Sequence, residues 1–146
     1  MTLVRKQLIR NSWAQVVPMA DQAAALFYQR LFEIDPSIRP LFRATDMAAQ
    51  RKKLLQVLGV AVASLDNLGA LSKMVEDLGR RHAGYGVTEQ HYDSVGAALL
   101  WTLEQGLGQA WTPQVAGAWA DVYDLLSGIM RAAQHQAAFE LSRPAA

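Results

Sequence analysis

Apolar residues recur at helical spacing along almost the whole of this 146-residue chain, and no other feature limits the fold as much. Two clear stripes run from Leu8 to Val17 and from Ala24 to Phe32, with apolar residues every three or four positions. No alternating run of β-branched residues predicts a strand. The sequence therefore predicts an all-α domain of about seven helices over residues 1–140, with a tail at 141–146.

Capping residues and glycines predict where these helices begin and end. Four side chains can accept hydrogen bonds from the first turn of a following helix: Asp35, Asp46, Thr88 and Thr112. Gly84 and Gly86 predict a sharp end for the helix before them. The segment 54–65 is apolar on nearly all sides, which predicts a helix buried on more than one face.

The composition excludes several classes of function. Fourteen Lys and Arg against thirteen Asp and Glu give a net charge of +1, which argues against a nucleic-acid binder. The absence of cysteine removes disulfides, thiolate metal sites and iron–sulfur clusters. We find no export signal and no apolar run long enough to span a membrane. These features predict a cytoplasmic protein.

Three polar residues lie on otherwise apolar helical faces. His82 follows Leu78 by four residues, so its ring projects from a buried stripe. It is either a core histidine bonded to a backbone carbonyl or a single axial ligand to a metal cofactor. Tyr28 is either ordinary core or a buried hydroxyl that serves a site. Gln50, on the first turn of its helix, either reaches solvent or joins the same pocket.

Together, one imidazole and two neutral hydrogen-bonding groups in an apolar pocket suit a cofactor that brings its own metal and planar ring. A metal site built from protein alone is disfavoured, because His91 and His135 have no paired ligand spacing. Glycine-rich phosphate loops and a nucleophile elbow are absent. The basic clusters at 51–53 and 80–81 are interpreted as solvated helix faces.

Six segments follow one another in a characteristic order and spacing: LFYQRLF at 26–32, IDPSIRPLF at 34–42, Gln50 before LLQVLGVAV at 54–62, LDNL at 65–68, RRHAGYGV at 80–87 and HYDSVGAALL at 91–100. In these segments the chain resembles the bacterial single-domain globins of the Vitreoscilla type and the globin part of flavohaemoglobins. The resemblance spans nearly the whole chain. It implies a globin fold with helices packed around haem b (iron protoporphyrin IX).

By this resemblance His82 is the proximal ligand of the haem iron, and Tyr28 and Gln50 are the distal pair. The haem pocket would also include Phe42, Leu54, Leu78, Val87 and Tyr92. Tyr92 is similar to a tyrosine that shares a proximal hydrogen-bond network with a glutamate of the last helix. Gln134 stands at the position of that glutamate, and an amide cannot supply the negative charge of a carboxylate.

The resemblance implies reversible O₂ binding at a pentacoordinate haem, with NO and CO as further ligands, for storage, delivery or sensing. An alternative is nitric oxide dioxygenation, which would need a separate NAD(P)H-dependent reductase because 146 residues cannot hold one as well. A third reading is a haem-free sensor module with a globin fold. Monomer and homodimer both stay open.

Overall fold

The computed structural model describes residues 2–142, with side chains through residue 140. It contains six α-helices: α1 Leu3–Val16, α2 Ala20–Ile34, α3 Met47–Ala63, α4 Leu68–Ala83, α5 Glu89–Leu107 and α6 Pro113–Ser142. Three short 3-10 helices span Val17–Met19, Pro36–Phe42 and Gly108–Ala110. Residues 2–142 contain no strand, so the prediction of an all-α fold is confirmed. Of the predicted tail, residues 143–146 lie outside the described residues, and α6 runs through Ser142.

The helix boundaries follow the capping chemistry of the sequence. The side chains of Asp35, Asp46 and Thr112 accept backbone N–H hydrogen bonds from the first turns of the helices that follow them. Helix α4 ends at Ala83, and Gly86 in the turn behind it has a φ of +74°, where a side chain would be strained. These boundaries fix the length of α4 and therefore the place of His82 on its last turn.

Helix α4 packs closely against α6, and α2 packs against α5. The α4–α6 crossing depends on Gly79, because a Cβ there would lie 2.5 Å from the carbonyl oxygen of Met130. In the core near α1, the Nε1–H of Trp119 donates to the hydroxyl of Ser12 at 2.8 Å, so that buried indole has a partner. The close approach at Gly79 holds α4 against α6 three residues before His82.

Helix α3 is less enclosed than its sequence predicts. Leu58, Ala61 and Val62 are buried, but the side chain of Val60 is 45% exposed. Leu54, Leu55 and Val57 are only half-buried. The prediction of burial on more than one face is wrong for this helix, because it packs mainly on α2 and only lightly on α1. No helix within residues 2–142 combines the length and the apolar character needed to cross a bilayer.

Candidate functional site

A cavity of about 470 Å³ opens between the 3-10 helix Pro36–Phe42, the start of α3, the end of α4 and the start of α5. That volume lies within the range of sites for small molecules and cofactors. Much of its wall is apolar, including Leu31, Ile38, Phe42, Val87 and Val95. Its polar and titratable wall residues are Thr45, Asp46, Gln50, Lys53, His82, Tyr85, His91 and Tyr92.

His82 reaches the cavity from the last turn of α4 and is half-buried. Its Nδ1–H donates to the carbonyl oxygen of Leu78, one turn earlier, at 2.6 Å. A carbonyl can only accept, so Nδ1 carries the proton and Nε2 keeps its lone pair. Burial lowers the pKa of His82, more than the Leu78 hydrogen bond raises it, which favours the neutral ring. A neutral imidazole with one free nitrogen is the form that binds a metal.

Behind His82, Tyr92 and Gln134 form a second polar layer. The rings of Tyr92 and His82 are stacked, with centroids 6.3 Å apart and planes at 24°. The hydroxyl of Tyr92 donates to Oε1 of Gln134, whose Nε2 donates to the carbonyl oxygen of Val87 at 2.5 Å. Burial, with Glu89 nearby, raises the pKa of Tyr92 to about 12, so its hydroxyl stays protonated. This layer is neutral, and the hydrogen-bond partner of the His82 ring is a backbone carbonyl.

On the opposite wall, Nε2 of Gln50 donates to the hydroxyl oxygen of Tyr28 at 3.2 Å. Tyr28 is buried, and its ring packs edge-on against Phe27 and Phe42, with centroids 4.9 Å and 5.6 Å away. Because the amide donates to the phenol oxygen, the phenol proton is free to point elsewhere, and no acceptor for it occurs among residues 2–140. Burial raises the pKa of Tyr28, so the hydroxyl keeps that proton.

Five of the residues predicted for the site line the cavity: Phe42, Gln50, His82, Val87 and Tyr92. Four others do not. Tyr28 lies one layer back, behind Gln50 and Phe42, and Gln134 lies behind Tyr92. Leu54 is half-buried against the core, and Leu78 contributes its backbone carbonyl to His82.

His91 is a wall residue that the sequence reading set aside. Its Nδ1 accepts from the backbone N–H of Thr88 at 3.0 Å, so its Nε2 carries the proton and lies 3.3 Å from the hydroxyl of Ser37. Ser37 in turn donates to the carboxylate of Asp35 at 2.5 Å, and the hydroxyl of Ser94 donates to the same carboxylate at 2.9 Å. Both nitrogens of His91 are therefore occupied by protein partners.

This network holds the start of α5 against the end of α2. Its sequence signal was the pair of polar residues at His91 and Ser94 on a face that is otherwise buried. Asp35 is 59 residues away from Ser94, so the pairing could not be read from local spacing.

The fold and this site define a class: a helical protein whose cavity has one free imidazole nitrogen on one wall and, on another, an amide that bonds to a phenol buried behind it. Comparison with known proteins gives the family. The family model described as Globin matches residues 25–130, and the chain belongs to the globin family.

Two relatives are the neuroglobins of Chaenocephalus aceratus, 32% identical, and Danio rerio, 30% identical. Each alignment covers 86% of this chain and 87% of the relative. The fold is similar to a crystal structure of a hexacoordinated haem protein from an anhydrobiotic tardigrade at pH 4, with a TM-score of 0.83 and 18% identity. That match covers 92% of this chain and 96% of the other.

The globin expectation from the sequence is thus confirmed, and with it the binding of haem and of small gas ligands that the family implies. The residues present suit a haem. His82 offers a neutral nitrogen that would hold the iron, and the largely apolar walls of the cavity would receive the ring. His91 does not compete as a ligand within the cavity, because both of its nitrogens are already bonded.

Proposed function

We propose that this globin binds O₂ reversibly at a pentacoordinate haem b, with His82 as the axial ligand and Tyr28 and Gln50 as the distal pair. The observation that carries the proposal is the hydrogen bond from Gln50 Nε2 to the Tyr28 hydroxyl oxygen. This pairing also supports a family relationship with the bacterial single-domain globins. A cytoplasmic location and a monomer or homodimer complete the proposal.

His82 would hold the haem through Nε2, while Leu78 keeps the ring in one orientation through the bond to Nδ1. Phe42, Val87 and Tyr92 would pack against the planar ring from the cavity wall. When bound, the haem would supply an iron that takes up a diatomic gas. What distinguishes one gas from another would then be the set of donors that the protein directs at the bound gas.

Tyr28 would be the donor that selects O₂. Its hydroxyl keeps a proton that no residue among 2–140 accepts, and Gln50 fixes the oxygen that carries it. A hydrogen bond to a ligand that carries partial negative charge is worth about 1.5–3 kcal/mol. That corresponds to a roughly ten- to hundredfold slower loss of O₂ when association is unchanged. CO carries less charge and gains less.

Two contacts at the cavity wall support a pentacoordinate iron. The amide nitrogen of Gln50 is engaged with Tyr28, and an amide is a poorer iron ligand than an imidazole. His91 has no free nitrogen. The similar tardigrade protein is described as hexacoordinated. We propose that this chain differs, because its distal wall presents a glutamine.

Nitric oxide dioxygenation is the alternative use of the same site: NO and O₂ would combine there to give nitrate, and a separate NAD(P)H-dependent reductase would supply the one electron that each turnover needs. Residues 36–53 and 78–87, which supply most of the cavity lining, contain seven Lys and Arg and one acidic residue, and an excess of positive charge favours contact with an acidic partner. The haem-free reading is disfavoured, because a sensor without haem has no use for a free imidazole nitrogen in an apolar cavity.

The absorption spectrum of the ferrous protein without gas tests the coordination. We expect one broad visible band, as for a five-coordinate haem, and a stable oxy form on adding O₂. Gln50→His is the matched control, because it brings an imidazole to the same wall and should give the sharp, split bands of a six-coordinate haem. Split bands in the unchanged protein would contradict the proposal.

A further inference from the structure

Another cavity, of about 570 Å³, lies between the end of α2, the 3-10 helix Pro36–Phe42 and the start of α3. We call it the arginine cavity, because Arg39 and Arg43 line it. It shares only Phe42 and Thr45 with the cavity that would receive the haem. Its volume lies within the range of sites for small organic molecules. The proposed function makes no use of it.

The apolar wall of the arginine cavity carries two aromatic rings. Phe32 and Phe42 are half-buried, with ring centroids 5.7 Å apart and planes at 59°. Met47 lines the same cavity, and so do Pro36 and Pro40, whose rings fix the backbone φ. Aromatic rings and a thioether form favourable contacts with another aromatic ring. This wall therefore suits a flat apolar ring better than it suits a polar chain.

The polar side of the arginine cavity is positively charged. The guanidinium carbon of Arg39 lies 5.8 Å from the centroid of the Phe32 ring. Neither Arg39 nor Arg43 has a carboxylate partner within residues 2–140, and none of the residues that line the cavity is acidic. A guanidinium without such a partner keeps its paired N–H donors for the carboxylate of a ligand. Five other arginines each pair with a carboxylate of the protein: Arg5, Arg10, Arg30, Arg51 and Arg131.

We propose that the arginine cavity binds a small aromatic carboxylate. Arg39 and Arg43 would hold the carboxylate, and the ring of the ligand would pack on Phe32 and Phe42. Binding would be non-covalent and would not involve the haem iron. The proposal does not rest on the proposed function, because it makes no use of Tyr28 or of O₂.

The two halves of the cavity favour this class of ligand over simpler ones. An inorganic anion would contact the guanidinium groups and leave the aromatic wall without a partner. A neutral aromatic molecule would leave both positive charges without a partner. A flexible fatty acid would satisfy both halves, but it loses more conformational entropy on binding than a rigid ring does.

The test is a calorimetric titration of the ferrous holoprotein, saturated with CO, with 2-naphthoate at about 20 mM ionic strength. CO occupies the iron, so the carboxylate cannot bind there. We expect one site with a dissociation constant of about 0.1 mM. Three comparison ligands should each bind at least about fivefold more weakly: 2-naphthamide has the rings without the charge, acetate has the charge without a ring, and octanoate is a flexible acid.

Two double variants locate the site. In Arg39→Gln/Arg43→Gln, we expect 2-naphthoate to bind about five- to tenfold more weakly, because both charged donors are removed. The control is Arg80→Gln/Arg81→Gln, which removes the same charge from two exposed arginines of α4 that line neither cavity. The control should change the dissociation constant by less than about twofold.

Four results would overturn the proposal. The first is the absence of binding, and the second is equally tight binding of any of the three comparison ligands. The third is equal weakening by the two double variants, because net charge alone would then explain binding. The fourth is loss of haem from Arg39→Gln/Arg43→Gln, which would assign these arginines to the haem carboxylates. Since the titration uses the CO form, its outcome is independent of the O₂ kinetics that test Tyr28.

Discussion

The two walls of the cavity differ in how tightly the protein holds them. On the His82 wall, α4 crosses α6 so closely that Gly79 has no room for a side chain, and the polar groups of His82, Tyr92 and Gln134 bond to one another or to backbone. On the opposite wall, α3 is only partly buried, and Tyr28, behind Gln50, donates its hydroxyl proton to none of residues 2–140. Under the proposed function, the His82 wall would hold the haem and the Gln50 wall would leave the Tyr28 hydroxyl able to donate to a gas.

The largest expected effect of any change is on the first wall. His82→Ala removes the free Nε2 nitrogen, so we expect the variant to lose its haem or to bind haem at least about tenfold more weakly. The measurement is the Soret absorbance of the purified variant after haemin is added. His135→Ala is the control, because His135 is exposed and pairs with Glu89 away from the cavity. Full retention of haem in His82→Ala would assign the iron to another residue.

The same glycine-to-alanine substitution on α4 and on α3 compares the packing of the two walls. In Gly79→Ala, the new methyl would meet the backbone of Met130, so we expect the free energy of unfolding to fall by about 1–3 kcal/mol. In Gly59→Ala, on α3, no atom lies within 4 Å of the new methyl, and the gain in helix propensity should raise stability by about 0.5–1 kcal/mol. Urea denaturation measures both. Equal effects would show that the walls do not differ in packing.

The smallest expected effect comes from replacing Gln134, whose amide bonds to Tyr92 behind His82. Gln134→Glu places a carboxylate next to the hydroxyl of Tyr92, and this charge reaches His82 only through the stacked ring. We expect a lower haem reduction potential, by less than about 1 kcal/mol in free energy. Spectroelectrochemical titration checks it, with Gln136→Glu, two residues further along α6, as control. A higher haem reduction potential in Gln134→Glu would contradict the inference that the charge at this position acts on His82 through Tyr92.

The helices could be predicted from the sequence because their signals are local. Asp35, Asp46 and Thr112 accept from the backbone within three residues, so their role is readable from neighbours. The enclosure of α3 could not be predicted, because apolar residues do not reveal how many helices will cover them. Helical spacing put Tyr28 and Gln50 on apolar faces, and the family resemblance then identified them as a distal pair.

Two features of the site depend on the fold alone. The sequence left open whether Gln50 reaches solvent or joins the pocket, and in the structure Gln50 lines the cavity with its amide donating to the phenol oxygen of Tyr28. The bonds that occupy both nitrogens of His91 join residues far apart in sequence. The roles of the site residues toward haem stay predictions, since their test is chemical.

The most direct test of the central claim is the O₂ dissociation rate of Tyr28→Phe, measured by stopped flow beside the CO dissociation rate. We predict roughly ten- to hundredfold faster loss of O₂ and little change for CO, because the removed proton serves the more charged ligand. Tyr85→Phe, which removes the hydroxyl of a largely exposed residue lining the other wall, should leave the O₂ rate within about twofold. An unchanged O₂ rate in Tyr28→Phe, or equal acceleration of O₂ and CO, would contradict the account.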